Sequence, residues 1–573
     1  MFRLPNALFA ALIGLCSSRA FADEAQGASG PSTASPLGTH PAEAEQERLA
    51  RLREVHNPGF SERLVLETGR IAAPAPSVNT VRFTVQGEYQ LRFRALSDLR
   101  LGAPVTSPQL TSLDQNRYLY HWARFNPRLQ FAHEFALVGQ IDLPRGMVLG
   151  DTTKLVGQAR DSYSESAGFE VHPRWLYLEV NAPFGVFRVG QQGSHWGMGI
   201  LANDGDHRSL FGDYQRGALV ERALFASRPL GENIPLVIAA AGDIVFEDNT
   251  ADLLDQGDFA LQGVLAAQWK AKRAELGVYG ALRRQSRAAR SSGDEGPGYT
   301  DRLWAAVIDV AGKFNAPIAG TRAHLFGEME AAVIFGETTF ARTVYGAAVE
   351  SGGERDPERI RSFGAAAKVG VVHVAERGPK QFGRIVAQIE WGFASGDANP
   401  FDGVNKRFVF DPNHNVGLVL FDQVLNWKTA RSATLLGDPA LVRRPVPGVD
   451  LLPSNGGIFG ANYLNPTFVI RPFRWLDLKG GFVIAQANAD MVDPYRTGVL
   501  GSFVNYDGGD ERNHDLGLEM DIGADARFSV SDSLIVEAGV EGGAFFPGHA
   551  FDSRSGRGLD NAFLVNSKLG VNF

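Results

Sequence analysis

The stretch HWGMGILANDGD, His195 to Asp206, is denser in glycine, amide and carboxylate than any other part of this 573-residue chain. Residues of these types serve a phosphate-cradling loop, a metal loop, or a sharply folded loop without chemistry of its own. A phosphate cradle needs a helix amino terminus behind it, and no helical pattern follows here. Asn203, Asp204, Asp206 and Asp213 supply enough oxygens for calcium, but their spacing is not that of an EF-hand. The expectation is therefore no metal, with calcium on those four residues as the alternative. The third use is a constriction loop. Gly193, Gly197, Gly199, Gly205 and Gly212 allow the bends needed to dip into a pore. His195 and Trp196 would anchor it, Asn203, Asp204 and Asp206 would line the narrowest passage, and Asp213 belongs to the same constriction loop.

Catalytic signatures are otherwise missing. His133-Glu134 begins like a zinc helix, but Leu137 holds the position of the second histidine. There is no G-x-S-x-G elbow and no P-loop. Histidines are scattered, and a lone one such as His324 is an ordinary polar residue on an inner wall. The expectation is no enzyme and no cofactor.

The elements that must position these residues begin with an export signal. Arg3 precedes an apolar run from Ala7 to Leu15, and Ala20-Phe21-Ala22 is a small-x-small cleavage site. Residues 1–22 are read as a signal peptide, so Cys16, the single cysteine, leaves with it. Leu15 is too bulky for a lipoprotein site. Removing Arg3 and Arg19 takes the formal charge from −8 to −10, which makes nucleic acid a poor partner. No apolar run of about 18 residues follows, so no transmembrane helix is expected.

From Val81 to Arg94 the sequence VRFTVQGEYQLRFR alternates without a break. Val81, Phe83, Val85, Gly87, Tyr89, Leu91 and Phe93 share one face, and Arg82, Thr84, Gln86, Glu88, Gln90, Arg92 and Arg94 the other. The pattern returns with Leu516, Leu518, Met520, Ile522, Ala524, Ala526 and Phe528 against Asp515, Glu519, Asp521, Asp525 and Arg527. Apolar outside and charged inside is what a membrane-spanning barrel needs.

Short turn signals fall at 133–134, 182–185, 229–231, 270–272, 315–317, 377–379, 471–473 and 531–533. Longer polar connections alternate with them at 97–115, 144–169, 194–216, 285–300, 338–360, 395–457 and 489–513. The count predicts an all-β fold, a transmembrane antiparallel β-barrel of about 18 strands (16–18) over residues 79–573, with both ends in the periplasm. Residues 23–78 form a periplasmic tail with a short helix at 41–55. Tyr118, Tyr120, Trp122, Trp175, Trp391, Phe393 and Trp475 are placed in interfacial girdles. The apolar segment 416–425, VGLVLFDQVL, is expected to fold back into the mouth or lumen, because leaving it in water is costly.

Two stretches resemble known families. VGQQGSHWGMGILANDGDHRSLFGDYQRGALVERALF (189–225) is similar to a signature of a mainly myxobacterial family of outer-membrane barrels. EWGFASGDANPFDGVNKRFVFDPNHNVGLVLF (390–421) resembles both that family and the alginate-export porins, whose plan of about eighteen strands is similar over most of residues 80–573. The resemblance implies passage of a polar solute or saccharide. Alginate exporters carry a strongly basic lumen, however, and here the inner positions are mixed. Arg82, Arg92, Arg94, Arg188 and Arg384 stand against Glu88, Glu390, Glu519, Asp521, Asp525, Glu537 and Glu541. Basic residues on the first strand and acidic ones on the sixteenth and seventeenth predict opposed charged walls.

The sequence thus reads as an outer-membrane, porin-like channel for diffusion or facilitated export of a small polar solute or saccharide. Its expected partners are membrane lipid, lipopolysaccharide and the barrel-assembly machinery, with no nucleic acid. The alternative is a loop-plugged structural or adhesive barrel, and an outer-membrane enzyme comes third.

Overall fold

In the first strand every second residue, from Val81 through Phe83 and Val85, is exposed, while Glu88, Gln90, Arg92 and Arg94 are buried. Period-two alternation puts successive side chains on opposite faces of a sheet. Here the apolar face is the outer one. In the computed structural model this strand belongs to a single sheet that closes on itself.

The structure describes residues 81–573 except 103–111, 114–115, 132–133, 145–146, 151–170, 215–216, 232–233, 255–256, 289–299, 341–356, 375–382, 400–401, 439–440, 442–450 and 532. The expected signal peptide, tail and short helix (1–78) lie outside the described residues. Eighteen strands form the wall. They begin with β1 Val81–Leu96, β2 Asn116–Phe131, β3 Phe135–Asp142 (continued by Met147–Gly150), β4 His172–Ala182, β5 Gly185–Gly193 and β6 Leu219–Ser227. Next come β7 Leu236–Glu247, β8 Asp258–Lys270, β9 Ala274–Ala288, β10 Thr300–Pro317, β11 Ala323–Thr338 and β12 Glu358–Val374. The last six are β13 Gly383–Ala394, β14 Ala461–Phe473, β15 Leu476–Ala487, β16 Asp515–Ser531, β17 Leu534–Pro547 and β18 Ala562–Asn572.

Each strand pairs antiparallel with its neighbours in sequence, and β18 pairs with β1 in the register Leu91↔Leu569. Closure satisfies every strand edge, as a barrel in hydrocarbon requires. At the seam the Phe573 N–H and C=O both bond to Gly87, and its ring lies against Phe125. A Cβ on Gly87 would strike that ring at 2.7 Å. The even, antiparallel, apolar-coated wall is that of an outer-membrane barrel.

Four local expectations need correction. Asn315–Pro317 and Arg471–Phe473 are not turns: β10 and β14 run through them, and the chain reverses at 318–322 and 474–475. Tyr118, Tyr120 and Trp122 point inward and are buried, not in a girdle. Trp475 is exposed and stacks between Phe473 and Phe528. Leu516 is buried rather than outward, because the register of β16 against β15 slips by one residue beside Gly517, whose φ is +108°. A bulge of this kind flips one side chain across the sheet.

A barrel of 18 strands is too wide for side chains alone to fill. Two loops fold into it. Loop A is residues 194–218. Loop B is residues 395–460 and contains a wide helical turn, Leu420–Leu425, leading into α1, Asn426–Gly437. Together they build an apolar core inside the lumen, with Trp196, Ile200 and Leu201 from loop A. Loop B contributes Phe408, Phe410, Leu418 to Phe421 and Trp427. Burying each large apolar side chain stabilises by about 1.5–3 kcal/mol, enough to hold both loops in. A second helix, α2 (Pro494–Leu500), packs on α1, where Ser432 Oγ donates to Asp493 Oδ1 at 2.6 Å.

Candidate functional site

The inner wall carries the charge. Glu88, Arg92 and Arg94 on β1, Arg188 on β5, Glu390 on β13, Glu519 and Asp521 on β16, and Glu537 on β17 are all buried inside the barrel. Asp525 and Glu541 are half-buried there and meet Lys479 of β15 at 2.8 and 2.6 Å. Two candidates stand apart. Arg82 is half-buried near the start of β1, and Arg384 is exposed at the start of β13.

Arg92, Arg94, Glu519 and Asp521, expected on opposed charged walls, all face inward, and loop A stands among them. Arg92 and Arg94 converge on Asp213 of loop A at 2.5 and 3.1 Å. Glu537 and Glu88 both take Arg208 of the same loop at 3.0 Å. Arg188 pairs with Glu179 at 2.7 Å. Charges neutralised at contact distance project little field across a bore. Burial alone would weaken the Arg208 cation, but Glu537, Tyr214 and Glu88 outweigh it and hold its pKa well above the usual value.

Loop A spans the bore from β10–β11 to β17–β1–β2. At one side Trp196 Nε1 donates to Asp309 at 3.0 Å and its ring lies over Tyr279. Glu330 of β11 accepts the N–H groups of Met198, Ile200 and Leu201. Gly197, at φ +58°, lets the chain wrap this carboxylate, and a Cβ there would sit 2.4 Å from it. At the other side Arg124 grips Asp206 at 2.9 Å while holding Asp142 at 2.7 Å.

The roles expected within loop A therefore change. Asn203 and Asp204 are buried. The Asn203 side chain accepts from Gly205 N–H at 3.0 Å, closing the turn. Asp206 and Asp213 are claimed by arginines, so the four oxygens proposed for calcium do not converge. Trp196 anchors the loop to the wall, but His195 stacks on His207 instead. Burial, and then the adjacent His207, keep the His195 ring neutral, its pKa well below the usual imidazole range.

Loop B is held by a matching contact. Glu519 accepts from the N–H groups of Leu418, Val419 and Leu420 at 2.5, 2.7 and 2.7 Å. Gly417, at φ +73°, lies 2.6 Å from that carboxylate at its added-Cβ position. The segment 416–425, expected to fold back, is packed in the lumen. His414 joins the two loops to the wall, bonding Glu390 at 2.9 Å through Nε2 and the Met198 carbonyl at 3.1 Å through Nδ1. Burial opposes the charged imidazole there, but Glu390 outweighs it and raises the pKa.

Glu330, Asp309, Arg124, Arg208 and His414 were not among the residues expected from the sequence. Glu330 and Asp309 could be placed on the inner face by period two. Nothing local marks Arg208 or His414, since their partners lie on distant strands.

Between loop A and strands β1 and β15–β18 remains a charged chamber of about 60 Å³. Arg92, Arg94, Arg208, Lys479, Asp213, Asp525, Glu537 and Glu541 face it, and it reaches Asp477 and Arg527 beside the short 474–475 turn. That is room for a few waters.

No family model and no curated protein sequence matches the chain. Solved structures similar to it include OccAB1 of Acinetobacter baumannii, with TM-score 0.44 and 10% identity, covering 85% of this chain and 97% of that one. OccK5 (OpdH) of Pseudomonas aeruginosa gives 0.42 and 11%, covering 85% and 98%. The outer membrane protein OprD of the same organism gives 0.41 and 9%, covering 85% and 94%. At these values the likeness adds nothing to the barrel that the strand pairing itself establishes. It lends no support to the alginate-exporter or myxobacterial resemblance.

Proposed function

We propose that the protein is a porin-like channel of the outer membrane for small polar solutes. The observation that carries this reading is the chamber between loop A and the wall. It is lined by both signs of charge, inside a closed barrel that reaches both sides of the bilayer. Charged groups placed along a bore lower the cost of moving a polar solute through hydrocarbon, and the narrowest point sets the size limit. Basic and acidic groups share the lining, which supports weak ion selectivity and dipolar cargo rather than a polyanion. The chamber of about 60 Å³ holds a few waters, so a small solute passes only if part of loop A yields, and polymer export of the alginate kind would require both loops to leave the bore. No chemical step belongs to this reading.

The same filling favours a second reading, a plugged barrel acting through its surface loops. Single-channel recording in a planar bilayer decides between them. The channel reading expects small, stable conductance steps, together with swelling of loaded liposomes in amino acids or monosaccharides. Absence of any stable step, with no swelling, would leave the plugged barrel.

A further inference from the structure

Loop A also contains three groups of another kind, at its start and in its central turn. His195, Asp204 and His207 each offer one donor atom, and these atoms all lie within 4.8 Å of one another. The two imidazole rings are stacked with centroids 3.8 Å apart and planes tilted by 30°, so one ring must turn for both in-plane lone pairs to meet a shared ion. His207 Nε2 lies 3.5 Å from Asp204 Oδ1. A tetrahedral cation with bonds of about 2.0–2.1 Å has ligands separated by roughly 3.3–3.5 Å, so that edge is already at binding length. His195 Nδ1 is buried with no hydrogen bond of good geometry, although the Gly197 backbone beside the ring favours its proton, a condition that buried polar atoms seldom tolerate.

The carboxylate is also held in advance. The Asp204 carbonyl accepts from Arg174, and its Oδ1 accepts the Asp206 N–H at 3.0 Å. Gly193 and Gly217 back onto the residue so closely that an added Cβ would fall 2.7 Å from the Asp204 Cβ and 2.0 Å from its carbonyl carbon. Preorganised donors of this sort lose little freedom on binding.

We propose that His195, Asp204 and His207 form a binding site for a divalent transition-metal cation of the zinc class. Two imidazoles and one carboxylate suit zinc and its neighbours, whereas calcium and magnesium take oxygen ligands. The His207 side chain is 28% exposed, which gives the ion an entry and leaves a coordination position for water. Bound metal would staple the start of loop A to its central turn. The site does not depend on the channel reading.

The test uses untagged full-length protein in detergent, stripped with EDTA and titrated with zinc chloride by calorimetry. One zinc per chain is expected, unaffected by millimolar calcium, and cobalt in its place should show the visible absorption of nitrogen-coordinated metal. Asp204→Asn and His207→Asn should each weaken binding by about ten-fold or more. Asn at 204 keeps an acceptor for Asp206 N–H, and position 207 is partly exposed, so both variants should fold, with heat-modifiable migration confirming the barrel. His549→Asn, in an exposed His–Asp pair elsewhere, should bind like the parent. Folded wild-type protein that takes up no stoichiometric zinc would overturn the proposal. So would variants at 204 and 207 that retain the parent's affinity and cobalt spectrum.

Discussion

Loops A and B are fastened to the wall by the same device and packed with different shares of charge and apolar surface. In each, a glycine at positive φ turns the chain so that three N–H groups close on one inward carboxylate, Glu330 for loop A and Glu519 for loop B. Such nests of N–H groups favour an anion. Beyond that contact loop A adds Trp196, Ile200 and Leu201 to the apolar core and the rest of it is held by ion pairs with Arg92, Arg94, Arg124, Glu88 and Glu537. Loop B instead buries Leu418, Val419, Leu420, Phe421 and Trp427. One bore is thus filled by a salt-sensitive layer and an apolar one. The chamber lies along the salt-sensitive layer, so solute passage should respond to changes in loop A before changes in loop B.

The largest effect should come from the nest with the shorter bonds. Glu519→Ala would leave three buried N–H groups unsatisfied, at about 1–3 kcal/mol for each group that finds no water. Hydrogen exchange should rise sharply over 416–437 and much less over 196–206. Glu330→Ala should do the reverse, and by less, because its bonds to Ile200 and Leu201 are 3.3 and 3.4 Å and the arginines still hold loop A. Equal loosening of both loops by either variant would mean that they open as one body.

Next in size is the ionic layer. Arg208→Ala removes the shared partner of Glu88 and Glu537 and should cost about 1–3 kcal/mol, the price of leaving a buried charged acceptor unmet. Conductance should rise, because the Arg208 side chain bounds the chamber. Asp213→Asn should loosen 208–214 more modestly, since an amide still accepts from Arg94. Raising salt from about 0.1 M to 1 M shortens the screening length from about 10 Å to 3 Å. Exchange in loop A should then increase while that of loop B stays level. A loop B response of equal size would remove the distinction between the layers.

The barrel was legible in the sequence because period two is written in every residue of a strand such as β1, and turn and loop lengths alternate along the chain. The inner and outer faces were legible where alternation is unbroken. They were misread at Leu516, where one extra residue in β16 shifts the register, and at Tyr118, Tyr120 and Trp122, where aromatic type outweighed parity. The candidate site was legible only in part. The glycines of loop A and the apolar run in loop B signalled unusual backbone and burial. No spacing could announce that Asp213 meets Arg92, or that Glu519 meets Leu420, because closure of the barrel and infolding of the loops bring those pairs together.

The smallest effect expected is that of pH at the junction of the two loops. His414 sits between Met198 of loop A and Glu390 of β13, with Tyr463 also in contact and Lys368 and Glu330 nearby. Its pKa in the folded protein is raised, because Glu390 outweighs burial and the repulsion from Lys368. A raised folded value means that the folded protein holds the proton more tightly than the unfolded chain. The stabilisation is therefore fully present below the unfolded imidazole value of about 6.5 and is lost as pH rises through the folded one. Hydrogen exchange over 408–416, corrected for the intrinsic rate, should increase as pH is raised from about 6 to above that folded value, and His414→Gln should flatten the profile. Unchanged protection across that range in the parent protein would show that the Met198 and Tyr463 contacts hold the junction without the charge.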